Sequence, residues 1–239
     1  MRLLAPLPRA AGALELLDRP APAADLAECL ADVARLNGVF GGRLVTLGHV
    51  KRLLARVPAD RPAVVVDLGT GGADIPRALV RWARRRRRPI RVLAVDRDEA
   101  ALRVAARTIA TYPEILLVQA DVLALPLPPR SVDVAISALT LHHLEPAAAA
   151  ACLEAMDEVA RVGFVVNDLF RSRSAYALVW LATRLFARNR MSRHDGPLSV
   201  LRAYTPAELG QLCRVAAIDD VRLHRYPFLM RQCAVQVKA

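Results

Sequence analysis

Apolar residues recur at intervals of three and four between residues 22 and 57. Leu26, Leu30, Val33 and Leu36 form one stripe; Leu44, Leu47, Val50, Leu53 and Leu54 form a second. That spacing puts each set on one face of a 3.6-residue repeat and predicts two helices. Residues 37–42, with Gly38, Gly41 and Gly42, predict a glycine loop between them, and Pro58 and Pro62 mark a boundary. From residue 63 the rhythm changes. Short β-branched runs at 64–68, 90–95, 115–119, 132–138 and 162–166 alternate with helical patterns at 75–83, 99–109 and 147–160. Strands and helices in alternation imply a parallel sheet covered on both faces. After Asp168 the alternation stops. Residues 169–205 are Arg-rich and contain an apolar helix, 206–215 predict another helix, and 221–224 with 233–237 predict two closing strands joined as a hairpin.

The elements add up to an α/β fold: a Rossmann-like, doubly wound, mostly parallel seven-stranded sheet. An N-terminal helical cap is expected over 1–61, the core over 62–239, and a helical lid insertion over about 169–205. A chain of 239 residues with 54% apolar and 24% charged residues can bury such a core and is not a disordered polypeptide. The net charge is +11, and Lys51 and Lys238 are the only lysines among 34 basic residues. A basic domain admits a nucleic-acid or anionic-membrane partner, but an arginine bias alongside abundant Ala, Leu and Val equally reflects a GC-rich coding genome. The run Arg84–Arg88 reads either as a solvated helix end suited to the C-terminal dipole or as an anion-binding patch for RNA, acyl carrier protein or lipid. Cys29, Cys152, Cys213 and Cys233 are widely spaced, which suggests reduced thiols rather than a zinc site or disulfide framework. In residues 1–17, Pro6 and Pro8 interrupt the apolar run and Glu15 and Asp18 close it, so no signal segment is expected. The apolar stretch at 175–182 is far short of the ~20 residues of a membrane span. A cytoplasmic protein is expected.

The chemistry concentrates after the first core strand, where Val64, Val65, Val66 and Asp67 lead into Gly69, Thr70, Gly71, Gly72, Ala73 and Asp74. Glycines there permit positive φ and close approach to bare backbone, and the helix that follows offers free N–H groups to an anion. A dinucleotide fingerprint would need a third glycine at 74, where this chain has Asp74, so a nicotinamide-dependent reductase is disfavoured. The acids instead fall at strand ends: Asp67, Asp96 and Asp121.

These residues resemble the class I S-adenosylmethionine-dependent methyltransferases. Asp67, Gly69 and Gly71 match the acid and glycines of that family's first turn, with Ala73 in place of the last glycine. Asp96 matches the acid after the second strand and Asp121-Val122 the one after the third. Residues 131–137 resemble the fourth strand, and Leu141-His142-His143-Leu144 the helix entry of small-molecule and quinone-type members. The resemblance implies S-adenosyl-L-methionine as cofactor and S-adenosyl-L-homocysteine as product. It implies backbone contact to the methionine moiety at Gly69 and Gly71, with Asp67 helping to hold its ammonium. Asp96 would accept both ribose hydroxyls, Asp121 the adenine amine, and the Val122 N–H would meet a ring nitrogen. Thr70, Arg97 and Ser137 are assigned to the same site. Residues 36–42, 167–172 and 193–206 further resemble a bacterial subgroup found beside polyketide-type pathways, which implies a small aromatic or polyketide-derived acceptor methylated on oxygen.

Methyl transfer from a sulfonium is an in-line displacement, so alignment supplies most of the catalysis. A phenol would gain from an imidazole base. His142 and His143 follow the fourth strand, at the crevice of an open α/β sheet; either is a candidate base or a packed histidine. His194, in a loop expected within the insertion, is the alternative base. Arg171 and Arg202 could hold an acidic substrate group. Trp180 lies on an insertion helix that would pack on the sheet edge, line a lid or form a dimer surface, so a monomer and a homodimer both stay open. Asp98, Asp133 and Asp168 form no cluster of oxygen ligands, and no metal is expected. An RNA methyltransferase is the rival within enzymes, but residues 137–140, Ser137-Ala138-Leu139-Thr140, lack the Asn/Asp-Pro-Pro-aromatic signature that clamps a nucleobase amine. A non-enzymatic binding module on the same fold is the remaining alternative.

Overall fold

A computed structural model describes residues 7–238; the sequence expectations for residues 1–6 lie outside it. Two helices, α1 (Ala23–Val39) and α2 (Gly42–Leu54), precede the sheet. The core then runs β1 (Ala63–Leu68), α3 (Asp74–Arg85), β2 (Ile90–Asp96), α4 (Glu99–Thr108), β3 (Ile115–Gln119), β4 (Val132–Ala138), α5 (Pro146–Val159) and β5 (Ala160–Leu169). After it come α6 (Arg173–Phe186), α7 (Arg190–Arg202), α8 (Pro206–Val215), β6 (Val221–Tyr226) and β7 (Arg231–Gln236). The seven strands lie in the order β3-β2-β1-β4-β5-β7-β6, parallel except for β7, which is antiparallel to both neighbours.

Alternate residues of each strand enter opposite layers, as the period-2 geometry requires. Val65, Val134 and Val165 pack with α2, α3 and α4, whereas Val66, Ala135 and Val166 pack with α5 and α8. The helix α2, placed in the N-terminal cap by its sequence, shares this first layer through Val45, Val50, Leu53 and Leu54. Helix α1 instead lies against α4, α6 and α7.

Strand register decides where the chemistry falls. Leu68 pairs with Val95 and Ser137, and Asp96 with Gln119, so the ends of β1 to β4 line up along one carboxyl edge. The order reverses between β1 and β4, where an open α/β sheet leaves its crevice. Strand β5 runs three residues past the expected 166, because Asn167, Asp168 and Leu169 pair with Cys233, Gln232 and Arg231.

Two helices fill the insertion. Asn189 caps α7 by accepting the Met191 N–H at 2.8 Å, and α7 continues through His194 and Pro197, where a loop was expected. Asp195 fixes this helix to the N-terminal segment by accepting the Leu16 and Leu17 N–H groups at 2.8 and 2.9 Å. Such tertiary anchoring outweighs the local tendency of the Asp195-Gly196-Pro197 stretch to break a helix. Among the described residues, no helix is long and apolar enough to cross a membrane.

Candidate active site

The turn after β1 holds Gly69 at φ 69° and Gly71 at φ 49°, both left-handed. A Cβ at Gly69 would lie 2.4 Å from the Thr140 hydroxyl, so only glycine fits this approach of the β1 and β4 edges. Ala73, standing where the family has glycine, also takes a left-handed φ of 57° at the start of α3, with its methyl fully buried. Asp96 braces the turn: its carboxylate accepts the Gly71 N–H at 2.8 Å and the Asp98 N–H at 3.0 Å. Burial pushes the Asp96 pKa up against those bonds. Behind the turn Asp67 accepts the Thr70 hydroxyl at 2.7 Å, and burial pushes its carboxyl up to about 7.

A cleft of about 510 Å³ opens over this edge, and Gly69, Gly71, Asp96, Arg97, Asp121 and Val122 all line it. Leu26 and Leu30 of α1 supply an apolar wall opposite. Two carboxylates with accepting capacity left over face the cleft, since each has about four lone-pair sites and Asp121 accepts only the Leu123 N–H at 2.9 Å. Bare glycine backbone, paired acceptors and a greasy wall fit a nucleoside bearing hydroxyl and amine donors, as S-adenosylmethionine does. Asp67 and Thr70 lie behind the turn, outside the cleft lining, and buttress it. Ser137 is fully buried in β4 with no hydrogen-bond partner for its hydroxyl and lines neither cavity.

A second, smaller cavity of about 130 Å³ abuts the first, with Leu17, Leu139 and His143 common to both. Its walls are mostly apolar, including Val33 and Leu36 from α1, Phe40 just after it, Val179 from α6 and Met230 before β7. Polar groups meet at one side. His142 Nδ1 lies 2.7 Å from Asp168 and His143 Nδ1 lies 2.9 Å from Asp18. Their Nε2 atoms face the Glu15 carboxylate at 3.5 and 3.8 Å, and Glu15 also accepts the Ser199 hydroxyl at 2.9 Å. Burial alone would lower the His142 pKa, but Asp168 and Glu15 on either side override it and raise it to about 10. Held between these two carboxylates, His142 favours its protonated form, and Arg202 stands 3.8 Å from the same Glu15 carboxylate.

Arg231, at the start of β7, lines the same cavity while 6% exposed, and its Nε and Nη1 have no hydrogen-bond partner. Its remaining nitrogen donates to Asn37 at 3.4 Å. Neither Arg231 nor Glu15 stands out in sequence. The only local hints are a charged residue opening a closing strand and an acid ending an apolar run.

The arginines singled out by sequence are engaged elsewhere. Arg171 donates to the Leu7 carbonyl at 2.7 Å, to Glu208 at 2.6 Å and to the Ala203 carbonyl. Arg202 bridges Asp18 at 2.6 Å and the His143 carbonyl at 3.0 Å, so it positions the histidine cluster from behind. Trp180 is exposed on α6 beside Arg184, and His194 is exposed on α7 with Nδ1 2.8 Å from Asp195. None of Arg171, Arg202, Trp180 and His194 lines either cavity. In the basic run, Arg84 is bonded to Glu114 at 2.7 Å and Arg88 to the Leu54 and Val57 carbonyls at 2.8 Å. The run straddles the C-terminus of α3, which leads into the start of β2 and so lies opposite the carboxyl edge that carries the cleft.

Residues 65–163 match the methyltransferase domain family. No curated protein matches the chain's sequence. Among solved structures, a candidate O-methyltransferase from Nostoc punctiforme is similar over 97% of this chain and 64% of its own, at 17% identity and a TM-score of 0.62. The magnesium protoporphyrin IX methyltransferase of Synechocystis, solved with bound S-adenosylhomocysteine, is similar over 83% of this chain and 84% of its own, at 16% identity and a TM-score of 0.57. A SAM-dependent methyltransferase from Aquifex aeolicus covers 77% of this chain and 87% of its own, at 19% identity and a TM-score of 0.52.

Proposed function

We propose that this chain, whose residues 65–163 match the methyltransferase domain family and whose sheet has the class I S-adenosylmethionine-dependent methyltransferase fold, methylates a small aromatic or polyketide-derived acceptor on oxygen. The observation that carries the reading is the second cavity, apolar, joined to the cofactor cleft at His143 and about the size that accommodates one benzene-like ring. The bound cofactor supplies an electrophilic methyl group. The chain's own residues do the rest. Asp96 and Asp121 fix the nucleoside, the apolar walls orient the acceptor, and its hydroxyl faces the Glu15–His142–His143 cluster, where the Glu15 carboxylate takes the proton as the oxygen–methyl bond forms and the sulfonium leaves as S-adenosylhomocysteine. Arg231 offers two nitrogens, Nε and Nη1, that have no partner among the described residues to an anionic substituent such as a carboxylate or a second phenolate. It takes the role that the sequence assigned to Arg171 and Arg202. The four cysteines are all free and buried, which supports a reducing, cytoplasmic setting.

The test is incubation of the purified chain with methyl-labelled cofactor and, separately, a panel of hydroxybenzoates and short polyketide phenols, bulk tRNA and ribosomal RNA. Labelled methyl ether on an acidic phenol is expected. Label on RNA alone, or on carbon or nitrogen of the small acceptors, would sink the reading.

A further inference from the structure

We propose that Glu15, His142 and His143 form a binding site for a divalent transition-metal ion, open toward the acceptor cavity. One ligand atom from each of the three lies within 4.8 Å of the others. Each imidazole is held at Nδ1 by its own carboxylate, Asp168 for His142 and Asp18 for His143. That arrangement presents Nε2 forward as the donor atom, in the carboxylate–histidine–metal pattern. The two Nε2 atoms and the Glu15 carboxylate then confront one another at 3.5 and 3.8 Å, too far apart for good hydrogen bonds. Ligands about 2.1 Å from a shared ion sit roughly 3.0 to 3.4 Å apart, so small side-chain adjustments close the set.

The surroundings favour a cation. Glu15, Asp18, Asp168 and Asp195 are gathered around the cluster, against one arginine, Arg202, which bonds Asp18 at 2.6 Å and stands 3.8 Å from Glu15, so the carboxylates still outnumber the fixed cations there. Asp195 is occupied by the Leu16 and Leu17 N–H groups, and Asp18 by His143 and Arg202, which leaves a ligand set of two imidazoles and one carboxylate. This donor set suits zinc or iron(II) and disfavours magnesium or calcium, which prefer oxygen ligands. All three residues line the apolar cavity, so the remaining coordination positions face the acceptor. The sequence reading, which weighed Asp98, Asp133 and Asp168 and expected no metal, could not anticipate that Glu15 crosses more than a hundred residues to meet His142. A hydroxyl coordinated there would release its proton to water as the metal–oxygen bond forms. That use rests on the proposed acceptor reaction; the existence of the site does not.

Chelator-stripped, full-length protein is titrated with Zn²⁺ by calorimetry and with Co²⁺ by visible absorption, alongside Glu15→Gln, His143→Ala and the second-sphere Asp18→Asn variant. S-adenosylhomocysteine binding and thermal melting of each protein verify folding. One equivalent is expected to bind with micromolar or tighter Kd and to give the d–d bands of nitrogen–oxygen-ligated Co²⁺. Glu15→Gln and His143→Ala should weaken it by more than about 100-fold, and Asp18→Asn by about 10- to 100-fold. Folded wild-type protein that binds S-adenosylhomocysteine yet takes up neither Zn²⁺, Co²⁺ nor anaerobic Fe²⁺ would overturn the site. Uptake undiminished in both ligand variants would overturn it as well. Metal uptake without methylation of any phenol would refute the acceptor reading and leave the site standing.

Discussion

The two cavities meet at His143, yet they are built in opposite ways. The cofactor cleft is made of short, consecutive pieces of chain: a glycine turn after β1, the acid ending β2, and the acid and N–H after β3, all carried to one edge by parallel register. The smaller cavity, proposed to take the acceptor, is assembled from Glu15, His142 and His143 after β4, Ser199 in α7 and Arg231 in β7. The first is a property of the sheet. The second is a property of how the N-terminal segment and the insertion close over it. A change in one should therefore leave the other's ligand binding measurably intact, and that independence can be tested.

The largest effect is expected at the cleft. Asp96→Ala removes the proposed ribose acceptor and the brace on Gly71, and should weaken S-adenosylhomocysteine binding about 100-fold or more by calorimetry, at roughly 1.5–3 kcal/mol per bond to a charged group. Its acceptor cavity should remain, detectable as unchanged metal uptake; loss of both would show that the two regions are coupled.

Arg231→Met acts on the other side. It should raise KM for an acidic phenol about 10- to 100-fold while leaving the cofactor Kd unchanged. Because a buried guanidinium with unpaired nitrogens gives way to an apolar chain of similar length, the melting temperature should hold or rise. A fall in stability with unchanged KM would make Arg231 structural.

Asp67 tests the turn from behind. Its carboxyl is raised from 3.8 to about 7 in the folded chain, so the folded state binds more protons than the unfolded one between those values. Stability should fall as pH rises through that window and level off above it. Asp67→Asn, which keeps a partner for Thr70, should flatten this slope and raise the melting temperature at pH 8. A slope that survives the substitution would assign it to another group. The smallest effect belongs to Trp180→Ala, which should change KM and cofactor Kd less than about twofold, because a side chain exposed away from both cavities contributes little.

The same contrast explains what could be read from sequence. Asp67, Gly69, Gly71, Asp96 and Asp121 announce themselves because each sits at a fixed offset from its own strand, and offset along the chain is what a sequence records. The seven strands were visible for the same reason, with β5 underestimated because its last three residues owe their pairing to β7. Arg171 and Arg202 looked like anion receptors because sequence gives charge but not the main-chain carbonyls that saturate it. Arg231 was passed over because nothing local distinguishes an unpartnered arginine from a paired one. His194 was placed in a loop because Gly196 and Pro197 signal a break that Asp195's anchoring overrules.

The bonds from Leu16, Leu17 and Glu15 to α7 join residues 179, 178 and 184 positions apart. Contacts of that span carry a loop-closure cost that nearby pairs avoid, and they tend to form late. During synthesis the parallel strands can pair while residues 15–17 still wait for α7, and β7, which brings Arg231, follows the other six strands. The order of maturation is then set by chain connectivity: the parallel sheet with its cleft first, and the smaller chamber only when residues 15–17 have been sewn to α7 and β7 has joined the sheet. Removal of residues 7–17 would stall the protein at the earlier stage.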